Sequence, residues 1–298
     1  MKLLNFLSGI YRAGSWVLFS LVFWMTYIPG VLLSTLSRFL MRHGFRNNYV
    51  RALECPGQWF VNAYSTISLR LFGVKLVIEH GKQYTRHQRT DDNVYVLLYN
   101  HLSNFDSLIV GEVFGDAKYI FKSSINLAFF FTLPSLYNGF ISVDRSTPES
   151  RARSAKALVV NVKEAEYSMA IAPEGTRNKG DPLKLLPFKR GAFNVSVESG
   201  RPVLPILHFH TLRLWDKEYL KIVNKPGYIV VRILDPIYPL ENETVEEMQE
   251  RVRGIMQESM NTPPEYVEPK TVAEKAGFYV WPTIIWSIFS MAVYYFVH

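Results

Sequence analysis

The sequence predicts an α/β fold: a mixed, mostly parallel sheet flanked by helices, with N-terminal and C-terminal membrane helices. Two observations carry that prediction. Through the middle of the chain, short runs rich in Val, Ile and Leu alternate with polar or amphipathic stretches, the pattern of strands and helices packed in layers. At the two ends lie charge-free runs, 25 residues from Ala13 to Ser37 and 21 from Gly277 to Val297. Roughly 20 apolar residues cross a bilayer core, so each run is long enough. Over all 298 residues the chain is 48% hydrophobic and 14% aromatic, an excess that gathers at the ends. The expected organisation is residues 1–72 as N-terminal membrane-associated helices, 73–262 as an α/β domain, and 263–298 as a linker and C-terminal transmembrane helix.

The first apolar run is too long for a signal peptide, and no small-residue cleavage pattern follows it. Pro29-Gly30 interrupts it, so a simple span and a re-entrant hairpin both remain open. Arg38, Arg42, Arg46 and Arg51 follow this run, and Lys270 and Lys275 precede the last one. The positive-inside tendency then places the middle of the chain in the cytoplasm.

In that middle, "VKLVIEH" (74–80) and "NVYVLLYN" (93–100) have the β-branched and aliphatic content of strands, with a polar loop between them. A helix begins near Asn104, and "AKYIF" (117–121) and "GFISV" (139–143) are further strands. "STPESRARSAKALVVNVKEAEY" opens with Ser/Thr-Pro-Glu, which suits a helix N-terminus. "SMAIA" (168–172) and "RPVLPILHF" (201–209) are strands, and "GAFNVSVESG" (191–200) is a short helix between them that ends at Gly200. "YIVVRIL" (228–234) is a late strand, and "TVEEMQERVRGIMQESM" (244–260) an amphipathic helix.

A net charge of +7 is compatible with nucleic acid, an anionic membrane surface or a phosphorylated substrate. No nucleic-acid module is recognisable, which leaves the last two. The lone cysteine, Cys55, rules out an internal disulfide framework and fits a reducing compartment. With no HExxH pattern and no cysteine pair, no metal is expected.

His101 and Asp106 are five positions apart just after an apolar strand. A histidine base needs its second nitrogen held, and a carboxylate reached across one turn can hold it. Spacing alone decides nothing, because His87 and Asp92 share it. Position favours His101, since functional residues in covered sheets gather beyond strand ends. Lys122 follows another strand, Arg145 a third, and Glu174, Gly175, Thr176 and Arg177 a fourth. Gly175 permits close approach of backbone to ligand, and the arginines offer forks suited to phosphate. His208 and His210 alternate along a strand and read as packing or edge residues. Ser103 belongs to no Gly-x-Ser-x-Gly elbow.

"NHLSNFD" resembles the Asn-His-four residues-Asp signature of the glycerolipid acyltransferases, which include 1-acylglycerol-3-phosphate acyltransferases. Three further blocks follow in order: "KSSINLAFFFTLPSLYNGFISVDR", "APEGTRNKGDPLKLLPFKRGAF" and "RPVLPI". The likeness covers roughly residues 74 to 235, with Leu102 standing where many members carry Gln. It implies a membrane-bound acyltransferase that moves a fatty acyl group from acyl-CoA or acyl-carrier protein to the sn-2 hydroxyl of lysophosphatidate, giving phosphatidate. His101 would be the general base and Asp106 its partner. Lys122, Arg145, Glu174, Gly175, Thr176 and Arg177 would bind the acceptor, with Glu174 orienting Arg177 or a glycerol hydroxyl. No resident cofactor is implied, and the bilayer is a partner where nucleic acid is not. The location would be the endoplasmic reticulum in a eukaryote and the inner membrane in a bacterium. Another lysophospholipid or glycerol-3-phosphate as acceptor, lipid-to-lipid transacylation, lipid hydrolysis and a non-catalytic scaffold remain open.

Overall fold

The computed structural model describes residues 21–45, 54–91, 93–103, 105–122, 141–143, 146–164, 168–214 and 227–266. The C-terminal apolar run and residues 13–20 of the N-terminal run lie outside them. A π-helical turn, Phe23–Tyr27, leads directly into helix α1 (Ile28–Arg42). Pro29 falls in the first turn of α1, directly after the π-helical turn whose wider bonding ends with the Ile28 N–H on the Phe23 carbonyl. The chain stays helical through Pro29-Gly30 and past Ser37 to Arg42. Helix α2 (Glu54–Leu71) packs against α1. Among the described residues, no helix is long and apolar enough to cross a membrane.

The sheet has seven strands: β1 (Val74–His80), β2 (Val96–Tyr99), β3 (Lys118–Lys122), β4 (Ile141–Val143), β5 (Met169–Ile171), β6 (Val203–Phe209) and β7 (Gly227–Ile233). Their spatial order is β1-β7-β6-β2-β5-β3-β4. All neighbours are parallel except β6 and β7, so the sheet is mixed and mostly parallel as the sequence predicts. The helices that cover it are α3 (Asp106–Phe114), α4 (Pro148–Lys163), α5 (Gly191–Ser199) and α7 (Val245–Met260), with a single turn, α6 (Thr211–Leu214), after β6.

Strand alternation divides the core between the two faces. Val96 and Leu98 join Met169, Val203 and Leu207 under α4, α5 and α7. Leu97 joins Leu204, Ile206 and Ile229 under α3, which contributes Ile109, Val110, Val113 and Phe114. Helix α7 presents Met248, Val252, Met256 and Met260 to the core, one stripe at four-residue spacing. Thr147 and Thr244 cap α4 and α7 through reciprocal side-chain and backbone hydrogen bonds. For α4 this is the Ser/Thr-Pro-Glu opening visible in the sequence.

What matters for the site is the middle of the sheet. Strand β2 pairs in parallel with β5 on one side and β6 on the other, with Leu98 opposite both Ile171 and Pro205. Strands β2 and β5 therefore end within a residue of one another, and β6 runs on beside the loop that leaves β2.

Candidate active site

Strand β2 ends at Tyr99, and residues 100–105 turn the chain into α3. Asp106 is the first residue of that helix, where the dipole favours a carboxylate. Its side chain folds back over the turn. Oδ2 accepts hydrogen bonds from the Leu102 N–H (2.8 Å) and the Ser103 N–H (2.9 Å). The same oxygen is 2.8 Å from His101 Nδ1. Ser103 tightens the turn by accepting from the Phe105 N–H at 2.9 Å. This explains why a five-residue separation works here: two residues of loop backbone serve the same carboxylate as the imidazole. An ionised carboxylate only accepts, so Nδ1 carries the ring proton and Nε2 is left with its lone pair. Asp106 is buried, while the His101 side chain keeps 24% of its exposure. The imidazole is thus held from behind and open in front.

Strand β5 delivers the second loop. Gly175 has φ +69°, a left-handed conformation that suits glycine, and its N–H closes the turn on the Ala172 carbonyl at 3.0 Å. That turn buries Glu174 against the first loop. Glu174 Oε1 accepts from the His101 N–H (2.9 Å) and Oε2 from the Leu186 N–H (3.0 Å). The Asn178 N–H in turn donates to the His101 carbonyl at 2.7 Å. Both faces of the His101 backbone are thus clamped by the Glu-Gly-Thr-Arg segment. The sequence reading gives Glu174 to the acceptor; both its oxygens in fact accept from main-chain N–H groups. Burial pushes its carboxyl above the ordinary range, and the His101 and Leu186 N–H groups oppose that.

Strand β6 supplies the third element. The Asn100 side chain lies against β6 and exchanges two hydrogen bonds with the His208 main chain, donating to its carbonyl (3.0 Å) and accepting from its N–H (2.9 Å). Asn100, Asn178 and His208 were not singled out as site residues. Asn100 is the first letter of the four-block motif, and Asn178 directly follows Arg177, which are the signals that pointed to them.

Of the other predicted residues, Thr176 is exposed and Arg177 half-buried beyond the Gly175 turn. Lys122 ends β3 in register with Val143 of β4, and Arg145 lies outside the described residues. His87 sits exposed in the loop between β1 and β2, where its Nε2 lies 3.2 Å from Arg86 Nε, and Asp92 lies outside the described residues. An apolar cavity of about 430 Å³ opens beside the Glu174 turn, lined by Ile120, Leu158, Ile171, Pro173, Gly175 and Lys189 among others. Among the described residues no group of three or more His, Cys, Asp or Glu side chains is gathered as a metal site.

Residues 77–208 match the family model described as Acyltransferase. A 1-acyl-sn-glycerol-3-phosphate acyltransferase of Saccharomyces cerevisiae is 30% identical over 173 residues, 56% of this chain and 55% of that protein. One of the same name from Haemophilus influenzae is 28% identical over 189 residues, 60% of this chain and 69% of the relative. The crystal structure of the 1-acyl-sn-glycerophosphate (LPA) acyltransferase PlsC from Thermotoga maritima shares the fold, with a TM-score of 0.60 at 18% identity over 84% of this chain and 97% of that one. The motif blocks, the matched region and the relatives agree in likening residues 77–208 to the acyltransferases. The chain is similar to the 1-acyl-sn-glycerol-3-phosphate acyltransferases in particular, although it spans little more than half the length of the S. cerevisiae relative.

Proposed function

We propose that the protein transfers a fatty acyl group from a thioester, acyl-CoA or acyl-carrier protein, to the sn-2 hydroxyl of lysophosphatidate, giving phosphatidate. The observation that carries this is the 2.8 Å contact between His101 Nδ1 and Asp106 Oδ2 within an acyltransferase fold. An alcohol is a poor nucleophile at neutral pH. His101 Nε2 accepts the hydroxyl proton as the oxygen attacks the thioester carbonyl, and Asp106 balances the charge of the imidazolium that forms. Collapse of the tetrahedral intermediate breaks the C–S bond and expels the thiolate, which takes the proton back from His101. The thioester arrives already activated, so the chemistry calls for neither a covalent enzyme intermediate nor a resident cofactor.

Lys122, Arg145 and Arg177 supply positive charge for the acceptor phosphate, with Gly175 and Thr176 in the same turn. Glu174 serves them indirectly, by bracing the loop that carries the base. The cavity beside that turn has the size of a ligand pocket and an apolar lining, which suits part of a fatty chain.

Acceptor and product belong to a bilayer. Leu32, Leu36 and Phe39 are 42%, 48% and 40% exposed along one face of α1, and an outward apolar stripe of this kind supports contact with lipid. The α/β domain would then face the cytoplasm, at the endoplasmic reticulum or a bacterial inner membrane.

The test is to give the purified protein labelled acyl-CoA with and without lysophosphatidate. Labelled phosphatidate that appears only with acceptor supports the proposal. Thioester consumption indifferent to acceptor would make the protein a hydrolase, and a panel of other lysophospholipids and glycerol-3-phosphate separates the acceptors.

A further inference from the structure

Asp106 has a second oxygen that the dyad does not use. Oδ2 receives three donors, whereas Oδ1 is buried and without a hydrogen-bond partner. Facing it is Nε2 of His208, 3.6 Å away, also buried and also without a hydrogen-bond partner. At that length the contact is not a hydrogen bond. It is nonetheless costly to leave a buried carboxylate oxygen unpaired, and here two such atoms confront one another.

The far side of the imidazole decides what Nε2 offers. His208 Nδ1 lies 2.8 Å from the Thr211 hydroxyl oxygen, and both residues are fully buried. If Thr211 donates to Nδ1, the ring proton is on Nε2 and points at Oδ1. The opposite tautomer would set a lone pair against a carboxylate. Burial also lowers the His208 pKa and keeps the ring neutral, although Asp106 on α3 opposes this and His101 in the loop adds to it. A neutral donor is the suitable one: it holds the carboxylate without cancelling the charge that the His101 imidazolium needs. The ring is also placed rigidly, since Asn100 pins the His208 main chain to the start of the same loop.

We propose that His208 is a positioning residue: its Nε2–H, fixed by Thr211, holds Asp106 through Oδ1 so that Oδ2 stays turned toward His101. The inference deepens the functional reading above and rests on His101 being the base. Small displacements of catalytic groups cost rate steeply. His208→Phe should therefore lower kcat by about 10- to 100-fold with KM for both substrates nearly unchanged. His208→Gln, whose amide can present an N–H near the position of Nε2, should recover most of that loss.

Nitrogen NMR of the full-length protein labelled at histidine gives a readout that needs no substrate. The His208 ring should be protonated at Nε2 at neutral pH in the wild type. Thr211→Val should release it to a mixture of tautomers and lower kcat several-fold, whereas Thr211→Ser should preserve both; this pair carries the test if His208→Phe does not fold. Protonation at Nδ1 in the wild type, or equal activity of His208→Phe and His208→Gln, would overturn the proposal. A wild-type protein that shows the Nε2 tautomer yet transfers acyl groups to no glycerol acceptor would instead defeat the functional reading, and His208 could then position nothing for transfer.

Discussion

Glu174 and His101, 73 residues apart, meet through the main chain: the buried carboxylate accepts the His101 N–H at 2.9 Å. The Glu-Gly-Thr-Arg segment therefore bears on His101 by fixing the backbone beneath it. A Glu174→Gln variant offers one oxygen where the carboxylate offers two, so either His101 or Leu186 loses its acceptor and faces an N–H instead. The expected cost is about 1–3 kcal/mol of stability. Acyl transfer should fall by roughly 10- to 100-fold as the loop shifts. Urea unfolding and a transfer assay check the two effects separately.

The same carboxyl makes a prediction about pH. Its folded pKa is raised by burial, so the native chain holds this proton more readily than the unfolded chain does. Stability from this group is then greatest at acid pH and declines as pH rises from the unfolded value of about 4.3 through the folded one. Glu174→Gln has no such proton. The stability of wild type relative to the variant should accordingly shrink as pH is raised from about 4 toward neutrality. Urea midpoints measured across that range provide the check, and a difference that widens with pH would contradict the burial argument.

The middle of the sheet was legible in the sequence because β2, β5 and β6 are buried on both faces and read as continuous apolar runs. The ends were less so. Val94 and Tyr95 are buried but precede the paired part of β2, so hydrophobicity made that strand look longer than its ladder. His101 and Asp106 were legible because their contact is local and needs only one turn. His208 was not: it lies 102 positions beyond Asp106, and the two meet only because β6 was laid beside β2, a choice of strand order that no periodicity encodes. The main-chain contacts of Glu174 were hidden for a related reason. A charged residue in a motif looks like a ligand for substrate, and the backbone N–H groups that occupy it have no signature of their own.

The dyad itself calls for three variants. His101→Ala removes the proposed base and should reduce kcat by about 10²–10⁴-fold while the protein stays folded. Asp106→Asn keeps the shape but can turn an N–H toward Nδ1, favouring the wrong tautomer, and should cost a comparable factor. His87→Ala, in the exposed loop, should be nearly silent in the same assay. Equal activity of His87→Ala and His101→Ala would remove the proposed base from the reaction.

Asn100 tests how the site is tied to the sheet. Its amide continues the pairing of β2 with β6 one residue past Tyr99, using a side chain where a strand would use its main chain. It is 1% exposed, so no water replaces what it provides. Asn100→Ala leaves both the His208 N–H and its carbonyl without these bonds and opens a small void, at a cost of about 2–4 kcal/mol. Asn100→Asp should be worse, because a carboxylate can accept from the N–H but only repel the carbonyl, and it brings an unpaired charge into a buried place. The order of stability expected from urea unfolding is therefore wild type, then Asn100→Ala, then Asn100→Asp. Should the aspartate variant prove the more stable of the two, the amide would not be bridging the strands in the way its two hydrogen bonds indicate.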